Sequence, residues 1–389
     1  MGDQAQAMLE AARALYPVIA ERSAEIEQLR RLPADLVAQL RAAGMFSMAM
    51  PKSRGGPQLS LADQILVLEQ LSCADSSVGW CVKIGGDSGY FAGIMDPAVV
   101  DELMPRLDTI IAGFAPMGPG RLDKVEGGYL LSGRFPFGSG STHADIFFAS
   151  GAVFENGEPA SGGTWGGIPV RLGFTTADKV QVEDNWFTTG LSGTGSNHWV
   201  AKEVFIPERH TLDPLTQVSR PDIANYAHPL NFTATLAAVP LGIMARALDE
   251  ANAFVLGRTV PFPPPSRLLS EVGQARGAIA QAEMIRGPAR AYVLENARAF
   301  TRALAAHGEA SLELRAAVGL GMAHACRAAC EVTRLLFDLV GTSAIHQGAV
   351  MGRLLRDAMT ANQHVTVSQG NVEALGGMLL GHPHPSPFY

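Results

Sequence analysis

A glycine- and hydroxyl-rich turn, FGSGS at 137–141, is the first place where residue types and spacing suggest chemistry. Small residues let a backbone approach a flat molecule closely, and hydroxyls can hydrogen-bond its polar edge. Pro136 cannot donate a hydrogen bond to a neighbouring strand, which disfavours a central position in a sheet. The pattern predicts a turn that faces a ligand. The alternative interpretation is a plain hairpin with an irregular loop.

A second stretch of the same kind, GLSGTGSNH at 190–198, contains Thr194 and Ser196. It leads into WVAKEVFIP at 199–207, whose β-branched and aromatic residues are typical of a strand. Two hydroxyl-bearing turns, each next to a strand, could line the same site.

Near the C-terminus, the run LLRDAMTANQH at 354–364 offers acid–base groups. Asp357, Thr360 and His364 are spaced at i, i+3 and i+7, so on a helix they would share one face. An imidazole titrates near pH ~6.5 and could deprotonate a phenol or donate a proton at neutral pH. Burying such a face unpaired is costly, which favours a wet pocket or a ligand over the core. For an isolated histidine, a satisfied core residue is the alternative.

Motifs of other site types are missing. The sequence has no GxGxxG after a strand, no GxxxxGK[ST] and no GxSxG, so it supports no Rossmann dinucleotide site, P-loop or hydrolase elbow. The four cysteines, Cys73, Cys81, Cys326 and Cys330, form no CxxC pair, and we predict free buried thiols. We predict no metal site, and interpret GHPHP at 381–385 as a solvated or interface-packed tail.

The elements that would position these residues follow a helix–sheet–helix order. Helical spacing predicts an N-terminal helical domain at residues 1–109, and alternation predicts a central antiparallel β-sheet or barrel domain at 110–211. A C-terminal bundle of four or five helices is predicted at 212–389, which makes the fold class α+β. Within it we expect helices at 236–255, 268–285, 289–306, 311–340 and 349–375, with breaks at 261–265 and at Gly287-Pro288.

Composition limits the partners. The chain has 389 residues, is 47% hydrophobic and only 17% charged, and carries a net charge of −7, which argues against nucleic-acid binding. So few charges favour a homo-oligomer, and we expect a homotetramer, or at least a homodimer, formed through the C-terminal helices. We find no apolar run of about 18 residues and no signal peptide, so we expect a cytoplasmic protein without membrane contact.

Taken together, GRFPFGSGSTHAD at 133–145 and GLSGTGSNHWV at 190–200 resemble the central sheet domain of enzymes with the acyl-CoA dehydrogenase fold. Within that superfamily they are most similar to the oxygenase components of two-component flavin-dependent monooxygenases. The resemblance covers nearly the whole chain. It implies an enzyme that uses reduced flavin and dioxygen, through a C4a-(hydro)peroxyflavin, to hydroxylate or otherwise oxygenate a small aromatic or polyketide-like substrate.

The resemblance also implies roles for individual residues. By motif position, the Ser139 hydroxyl lies near the flavin N5, and Arg258 matches an arginine that binds the flavin phosphate, commonly across a subunit interface. A surface salt bridge is the alternative for Arg258. The remaining flavin contacts that the resemblance implies are Ala115, Met117, Phe137, Thr194 and Ser196.

The Arg-Asp followed by His364 resembles the monooxygenase branch, which implies catalytic roles for His364, Asp357 and Ser139. Many acyl-CoA dehydrogenases place their catalytic glutamate shortly after a similar Arg-Asp, whereas this chain has no carboxylate between Asp357 and Glu373. The substrate pocket is expected to involve Trp80, Phe91 and His143. Core packing is the alternative for the two aromatic residues, and a structural role is the alternative for His143.

We therefore expect an oxygenase that receives reduced FMN, with FAD as the other option, from a separate NAD(P)H:flavin reductase. One alternative is an FAD-dependent acyl-CoA dehydrogenase whose base is another carboxylate, such as Asp249 or Glu250. Another is a non-catalytic relative that keeps the fold for binding or assembly.

Overall fold

A computed structural model describes residues 2–114, 120–163, 167–213, 224–261, 264–386 and 388–389. The helices are α1 (Asp3–Glu21), α2 (Ser23–Leu29), α3 (Ala34–Ala42), α4 (Leu61–Ala74), α5 (Ser76–Gly86), α6 (Ser88–Ile94), α7 (Pro97–Leu103), α8 (Leu230–Thr233), α9 (Ala238–Gly257), α10 (Gly273–His307), α11 (Leu312–Val340), α12 (Val350–Ala361) and α13 (Gln369–Leu379). The strands are β1 (Ile111–Phe114), β2 (Gly120–Val125), β3 (Gly128–Gly138), β4 (Ile146–Glu155), β5 (Glu158–Pro159), β6 (Val170–Thr176), β7 (Gln181–Val182), β8 (Asn197–Pro207), β9 (Thr211–Leu212), β10 (Thr259–Val260) and β11 (Arg267–Leu268).

Local capping explains several helix starts. The Ser60 hydroxyl accepts a hydrogen bond from the Asp63 N–H at the start of α4. The Asp75 carboxylate accepts from the Ser77 and Val78 N–H groups, which fixes the start of α5 directly after α4. Each cap satisfies N–H groups that the first turn of a helix leaves unpaired. The Asp75 cap thus determines where α5, the helix that carries Trp80, begins.

The central sheet is mixed. In the described residues, the order is β7-β8-β3-β2-β4-β6-β9, with β1 and β5 also paired to β4. The α+β class with helices before and after the sheet is confirmed, but β4 runs parallel to both β1 and β2, so the expectation of a purely antiparallel sheet was wrong. The hairpin alternative for residues 127–151 is also wrong, because β2 lies between β3 and β4.

Pro136 is accommodated by a bulge. The pairing of β3 with β8 shifts between the pair Phe135–Trp199 and the pair Gly138–Asn197, so β3 holds one extra residue there. A bulge leaves a residue unpaired, which is where a proline can sit inside a sheet. The next residue, Phe137, has φ 60° and a side chain that is 60% exposed. The bulge therefore turns the Phe137 ring out of the sheet.

Two expectations for the C-terminal helices were wrong. Helix α10 continues through Gly287-Pro288, because Pro288 lies on its exposed side, where water can hydrate the carbonyl that the proline leaves unpaired. The segment expected as one helix at 349–375 is two helices, α12 and α13, separated by a 3-10 turn at Val365–Val367.

Helix α9 forms the centre of the helical core together with α4 and α11. The segment Leu230–Gly257 is long and apolar enough to cross a membrane by length and composition, contrary to the expectation that no such run exists. However, 78% of its most apolar window is buried inside the protein, which is typical of a core helix. Cys73, Cys81 and Cys326 are buried free thiols, as predicted, and Cys330 is a half-buried one.

Candidate active site

Strand pairing brings the two glycine- and hydroxyl-rich stretches together. Strands β3 and β8 are antiparallel neighbours, and Gly138 pairs with Asn197 at the end where both turns lie. The Gly140 N–H donates to the Thr194 carbonyl at 2.9 Å, and the Ser141 hydroxyl donates to the Gly195 carbonyl at 2.9 Å. The second stretch therefore lies directly against the first, as the motif pair predicts.

A chain of hydrogen bonds runs through four buried side chains. The Trp80 Nε1–H donates to Ser139 Oγ at 3.0 Å, Ser139 Oγ lies 2.7 Å from Ser196 Oγ, and Ser196 Oγ lies 2.7 Å from Thr194 Oγ1. The Thr194 hydroxyl donates to the Leu191 carbonyl at 2.7 Å.

The direction of this chain is determined by its two ends. An indole N–H only donates and a carbonyl only accepts, and each hydroxyl has one proton. Because Thr194 gives its proton to Leu191, it must accept from Ser196, and Ser196 must in turn accept from Ser139. The Ser139 proton is therefore committed to Ser196. Ser139 Oγ keeps one free lone pair, so it can only accept a further hydrogen bond.

His364 lies beside this chain. Its ring meets the Trp80 ring edge-on, with centroids 5.6 Å apart. Helix α12 ends at Ala361, and His364 is the N-cap of the following 3-10 turn. The expectation that His364 shares a helical face with Asp357 and Thr360 was therefore wrong. The structure nevertheless brings His364 to the Trp80–Ser139 end of the hydroxyl chain through the turn rather than through the helix.

The protonation state of His364 follows from its neighbours. The Thr366 N–H donates to His364 Nδ1 at 3.3 Å, and Thr366 Oγ1 lies 2.8 Å from the same nitrogen. Because Nδ1 accepts, the proton of the neutral ring resides on Nε2. Burial, with the positive charge of Lys83 as the second cause, lowers the pKa of His364 to about 4. The ring is therefore neutral at pH 7. The sequence suggested a base that titrates near neutrality, whereas the structure provides a neutral imidazole with an Nε2–H donor.

Asp357 connects helix α12 to the second turn. Its Oδ1 accepts from the Leu191 N–H at 2.6 Å, and its Oδ2 accepts from the Ser76 hydroxyl. Burial raises the pKa of this carboxyl to about 6, against the opposing effect of the two hydrogen bonds. The polar residue that the sequence analysis expected to need a ligand is thus satisfied within the protein. These contacts are those of a residue that positions Leu191, the end of the hydroxyl chain, while a catalytic role for Asp357 stays a prediction.

The other residues predicted for the site are distributed more widely. His143 lies against Gly140 of the first turn, and its ring centroid is 6.4 Å from that of Phe46. Phe91 packs in an aromatic core cluster against Phe148, Phe174 and Phe232, and its ring contacts in the described residues do not include Trp80. Arg258 is exposed beyond the end of α9, 5.7 Å above the Phe254 ring. Ala115 and Met117 lie outside the described residues.

The carboxylates proposed for the dehydrogenase alternative lie elsewhere. Glu250 accepts from Arg246 Nε at 2.7 Å, and Arg246 also donates to the Tyr16 hydroxyl at 2.8 Å. Asp249 Oδ2 lies 4.0 Å from the Sγ of Cys73 on α4. Neither carboxylate contacts the hydroxyl chain or His364 in the described residues.

Sequence reasoning missed three participants. Leu191 has φ 49°, an uncommon conformation for a branched residue, and both its N–H and its carbonyl are used at the site. Lys83 and Asp87 form a buried ion pair on and just after α5, 2.8 Å apart. The spacing of Trp80, Lys83 and Asp87 at i, i+3 and i+7 was the sequence signal that could have revealed the pair.

Family models and relatives agree with this architecture. Residues 2–95 match the acyl-CoA dehydrogenase N-terminal domain and residues 234–369 match the acyl-CoA dehydrogenase C-terminal domain. The chain is 28% identical to indole-3-acetate monooxygenase of Pseudomonas putida, with 95% of this chain and 92% of that protein covered. It is also 28% identical to the flavin-dependent monooxygenase oxygenase subunit HsaA of Mycobacterium tuberculosis, with 92% and 91% covered.

Solved structures show the same fold. The HsaA monooxygenase from M. tuberculosis superposes with a TM-score of 0.87 at 25% identity, covering 99% of this chain and 100% of that chain. XiaF from Streptomyces in complex with FADH2 and glycerol gives 0.88 at 21% identity, with 99% and 98% covered. TdsC from Paenibacillus with FMN and indole gives 0.84 at 20% identity, with 98% and 99% covered.

The two family models together match more than half of the chain, the relatives align over nearly all of it, and their names favour the monooxygenase over the dehydrogenase reading. The protein belongs to the acyl-CoA dehydrogenase fold superfamily and is a flavin-dependent monooxygenase of the oxygenase-component type.

Proposed function

We propose that this oxygenase takes reduced FMN from a separate NAD(P)H:flavin reductase and hydroxylates a small aromatic substrate with dioxygen. The observation that carries the proposal is the direction of the hydroxyl chain, which leaves Ser139 able only to accept. Reduced flavin has an N–H donor at N5, and oxidised flavin has none. A hydroxyl that can only accept favours the reduced form.

The residues around the two turns fit a flavin. His143, next to Gly140, has both ring nitrogens buried without a hydrogen-bond partner in the described part of the chain, so a polar edge could satisfy them. The exposed Phe137 ring offers a flat apolar surface beside Trp186, with ring centroids 6.2 Å apart. Phe137, Ser139, Thr194 and Ser196 would hold the isoalloxazine ring, and Arg258 of an adjoining subunit would hold the phosphate.

Relatives support the cofactor and the substrate class. HsaA is a flavin-dependent monooxygenase subunit, XiaF has been solved with FADH2, and TdsC has been solved with FMN and indole. The P. putida relative is named for indole-3-acetate, an indole ring that bears a carboxymethyl group. Aromatic compounds are therefore associated with two relatives that align over nearly the whole chain, while FMN rather than FAD remains part of our proposal.

When bound, reduced flavin supplies the two electrons that activate dioxygen. The protein positions the flavin, donates hydrogen bonds and excludes water from the site. Trp80 and the three hydroxyls are each less than 10% exposed, so the hydrogen bonds at Ser139 operate away from bulk water. The neutral His364 offers its Nε2–H as a donor at the same place. It can stabilise negative charge on an oxygen atom without itself titrating between pH 5 and 8.

Ser139→Ala should reduce the preference for reduced over oxidised flavin several-fold. The loss of one acceptor is worth on the order of 1 kcal/mol, although Trp80 and Ser196 also lose their partner. The measurement is the ratio of the two flavin dissociation constants under anaerobic conditions. Ser141→Ala is the matched control, because Ser141 is buried in the same turn and its hydroxyl's partners among the described residues are the Gly195 carbonyl and the Asn197 side chain. Equal ratios in the two variants would contradict the role of Ser139.

A homotetramer, or at least a homodimer, is the second expected outcome. Met284 on α10, Ile345 after α11 and Leu380 after α13 are 75%, 68% and 80% exposed in the single chain. We infer that these side chains belong to a face of the C-terminal helices that another subunit covers. Light scattering at micromolar concentration should give a mass of two or four chains. A monomeric mass would contradict this, and would also leave Arg258 without an adjoining subunit to serve.

Incorporation of labelled oxygen tests the proposed activity. With a flavin reductase, NADH, FMN and ¹⁸O₂, the enzyme should place one ¹⁸O atom in an indole or phenol substrate, as measured by mass spectrometry. Formation of hydrogen peroxide alone with every aromatic compound tested would argue against a hydroxylase of aromatic substrates.

A further inference from the structure

The buried ion pair of Lys83 and Asp87 has no role in the hydroxyl chain. Lys83 Nζ lies 2.8 Å from Asp87 Oδ2, and the two side chains are 5% and 12% exposed. Taking two charges out of water is costly, and an apolar pair in the same space is often at least as stable. Fold stability therefore gives little reason for a lysine at this position.

Lys83 is only partly satisfied by its surroundings. An ammonium group has three N–H donors, and Asp87 is the hydrogen-bond partner that the described residues provide. The Phe232 ring, 5.6 Å from Nζ, adds a cation–π contact but accepts no conventional hydrogen bond. Two donors are left for a further acceptor.

The position of Lys83 connects it with the active site. It follows Trp80 by one turn of α5, so both side chains lie on the same face of that helix. Trp80 contacts His364 edge-on, and the Lys83 charge acts on His364 itself. The Trp80 indole thus contacts the His364 imidazole and shares a helix face with the Lys83 ammonium.

Two groups here are hydrogen-bond donors with no acceptor among the described residues: the Nε2–H of neutral His364 and the remaining N–H groups of Lys83. A carboxylate is ionised at neutral pH and has two oxygens, so it can accept from two donors at once. Asp87 holds the ammonium group in place when no substrate is bound.

We propose that Lys83 is a specificity-determining residue that binds the carboxylate of an aromatic carboxylic acid substrate, with Asp87 as its positioning partner. This rests on the proposed function, because it names the substrate class of the same site. It makes the protein selective among aromatic compounds of similar size, since a neutral analogue leaves the buried ammonium with one partner fewer.

The test compares two probes of nearly equal shape, indole-3-acetate and indole-3-acetamide. Their dissociation constants are measured anaerobically on the enzyme with reduced FMN, in which no turnover occurs. The wild-type enzyme should prefer the acid by about tenfold or more, as expected for a charge-assisted hydrogen bond in a buried site. Lys83→Met should bring the ratio close to one, while Asp87→Asn, which keeps the ammonium, should retain the preference for the acid.

Equal affinity of the wild-type enzyme for both probes would overturn the proposal, as would a preference for the acid that persists in Lys83→Met. If Lys83→Met fails to fold, Lys83→Gln replaces it, and the wild-type ratio decides independently of either variant. Reduced-flavin binding is measured in the same samples. Loss of acid selectivity with intact flavin binding contradicts only the role of Lys83, whereas failure to bind reduced flavin contradicts the proposed function itself.

Discussion

Replacing His364 by alanine should lower product formation by about 10²-fold at neutral pH, while reduced-flavin binding survives. The reason is that His364 supplies an Nε2–H donor beside Trp80, and its Nδ1 is held by Thr366. Because its pKa is lowered to about 4, the ring stays neutral from pH 5 to 8, so its contribution should not change over that range. Single-turnover product yield against pH measures both effects.

His364→Gln is the matched control, because the glutamine side chain carries an N–H donor near the position of Nε2. A donor role predicts that this variant recovers most of the loss seen in His364→Ala. If glutamine is as inactive as alanine and the wild-type profile shows a titration near pH 6.5, His364 acts by proton transfer and the assignment of the neutral donor is wrong. If alanine retains full coupling of dioxygen use to product, His143 becomes the next candidate.

The second large effect is expected at Asp357. In Asp357→Asn the amide can still accept from the Leu191 N–H and hydrogen-bond Ser76, whereas Asp357→Ala leaves a buried N–H without an acceptor. We expect Asp357→Ala to be less stable than Asp357→Asn by about 1–3 kcal/mol at every pH. Denaturant unfolding of both variants measures the difference. Equal stability would show that the contact with Leu191 contributes little.

The pH dependence of the same residue has a definite sign. The folded-state pKa of about 6 lies above the usual value for aspartate, so the fold favours the protonated carboxyl. The stability that Asp357 contributes is therefore fully present below about pH 4 and is lost as pH rises through about 6. The asparagine in Asp357→Asn does not titrate, so the free energy of unfolding of this variant should increase relative to that of the wild type over the same pH interval. A constant difference between the two proteins from pH 4 to 8 would contradict the burial of a charged carboxylate.

The sequence was informative where two motifs that can each be recognised locally also contact each other in the fold. The two glycine- and hydroxyl-rich stretches flank adjacent strands, so the sequence alone points to Ser139, Ser196 and Thr194 as one group. The structure places His364 against Trp80, but in the turn after α12 and not on the helix of Asp357, and its catalytic role stays a prediction. The N-cap of α13, where Ser368 accepts from the Asn371 N–H, is a visible signal that this helix starts anew.

What could not be predicted depends on contacts between distant segments. The Trp80 N–H bonds Ser139 across 59 positions of sequence, and Asp357 bonds Leu191 across 166. Periodicity indicates which face of an element is apolar, but not which distant turn will satisfy one polar atom on that face. Pro288 shows the same limit, because whether a proline ends a helix depends on whether water can reach the freed carbonyl.

The most direct test of the central claim is an anaerobic titration of the purified protein with reduced and with oxidised FMN. The directed hydroxyl chain predicts that reduced FMN binds more tightly, and that Ser139→Ala narrows the gap while Ser141→Ala does not. Tight retention of oxidised flavin with weaker binding of the reduced form would contradict the account and favour a dehydrogenase-like use of the fold.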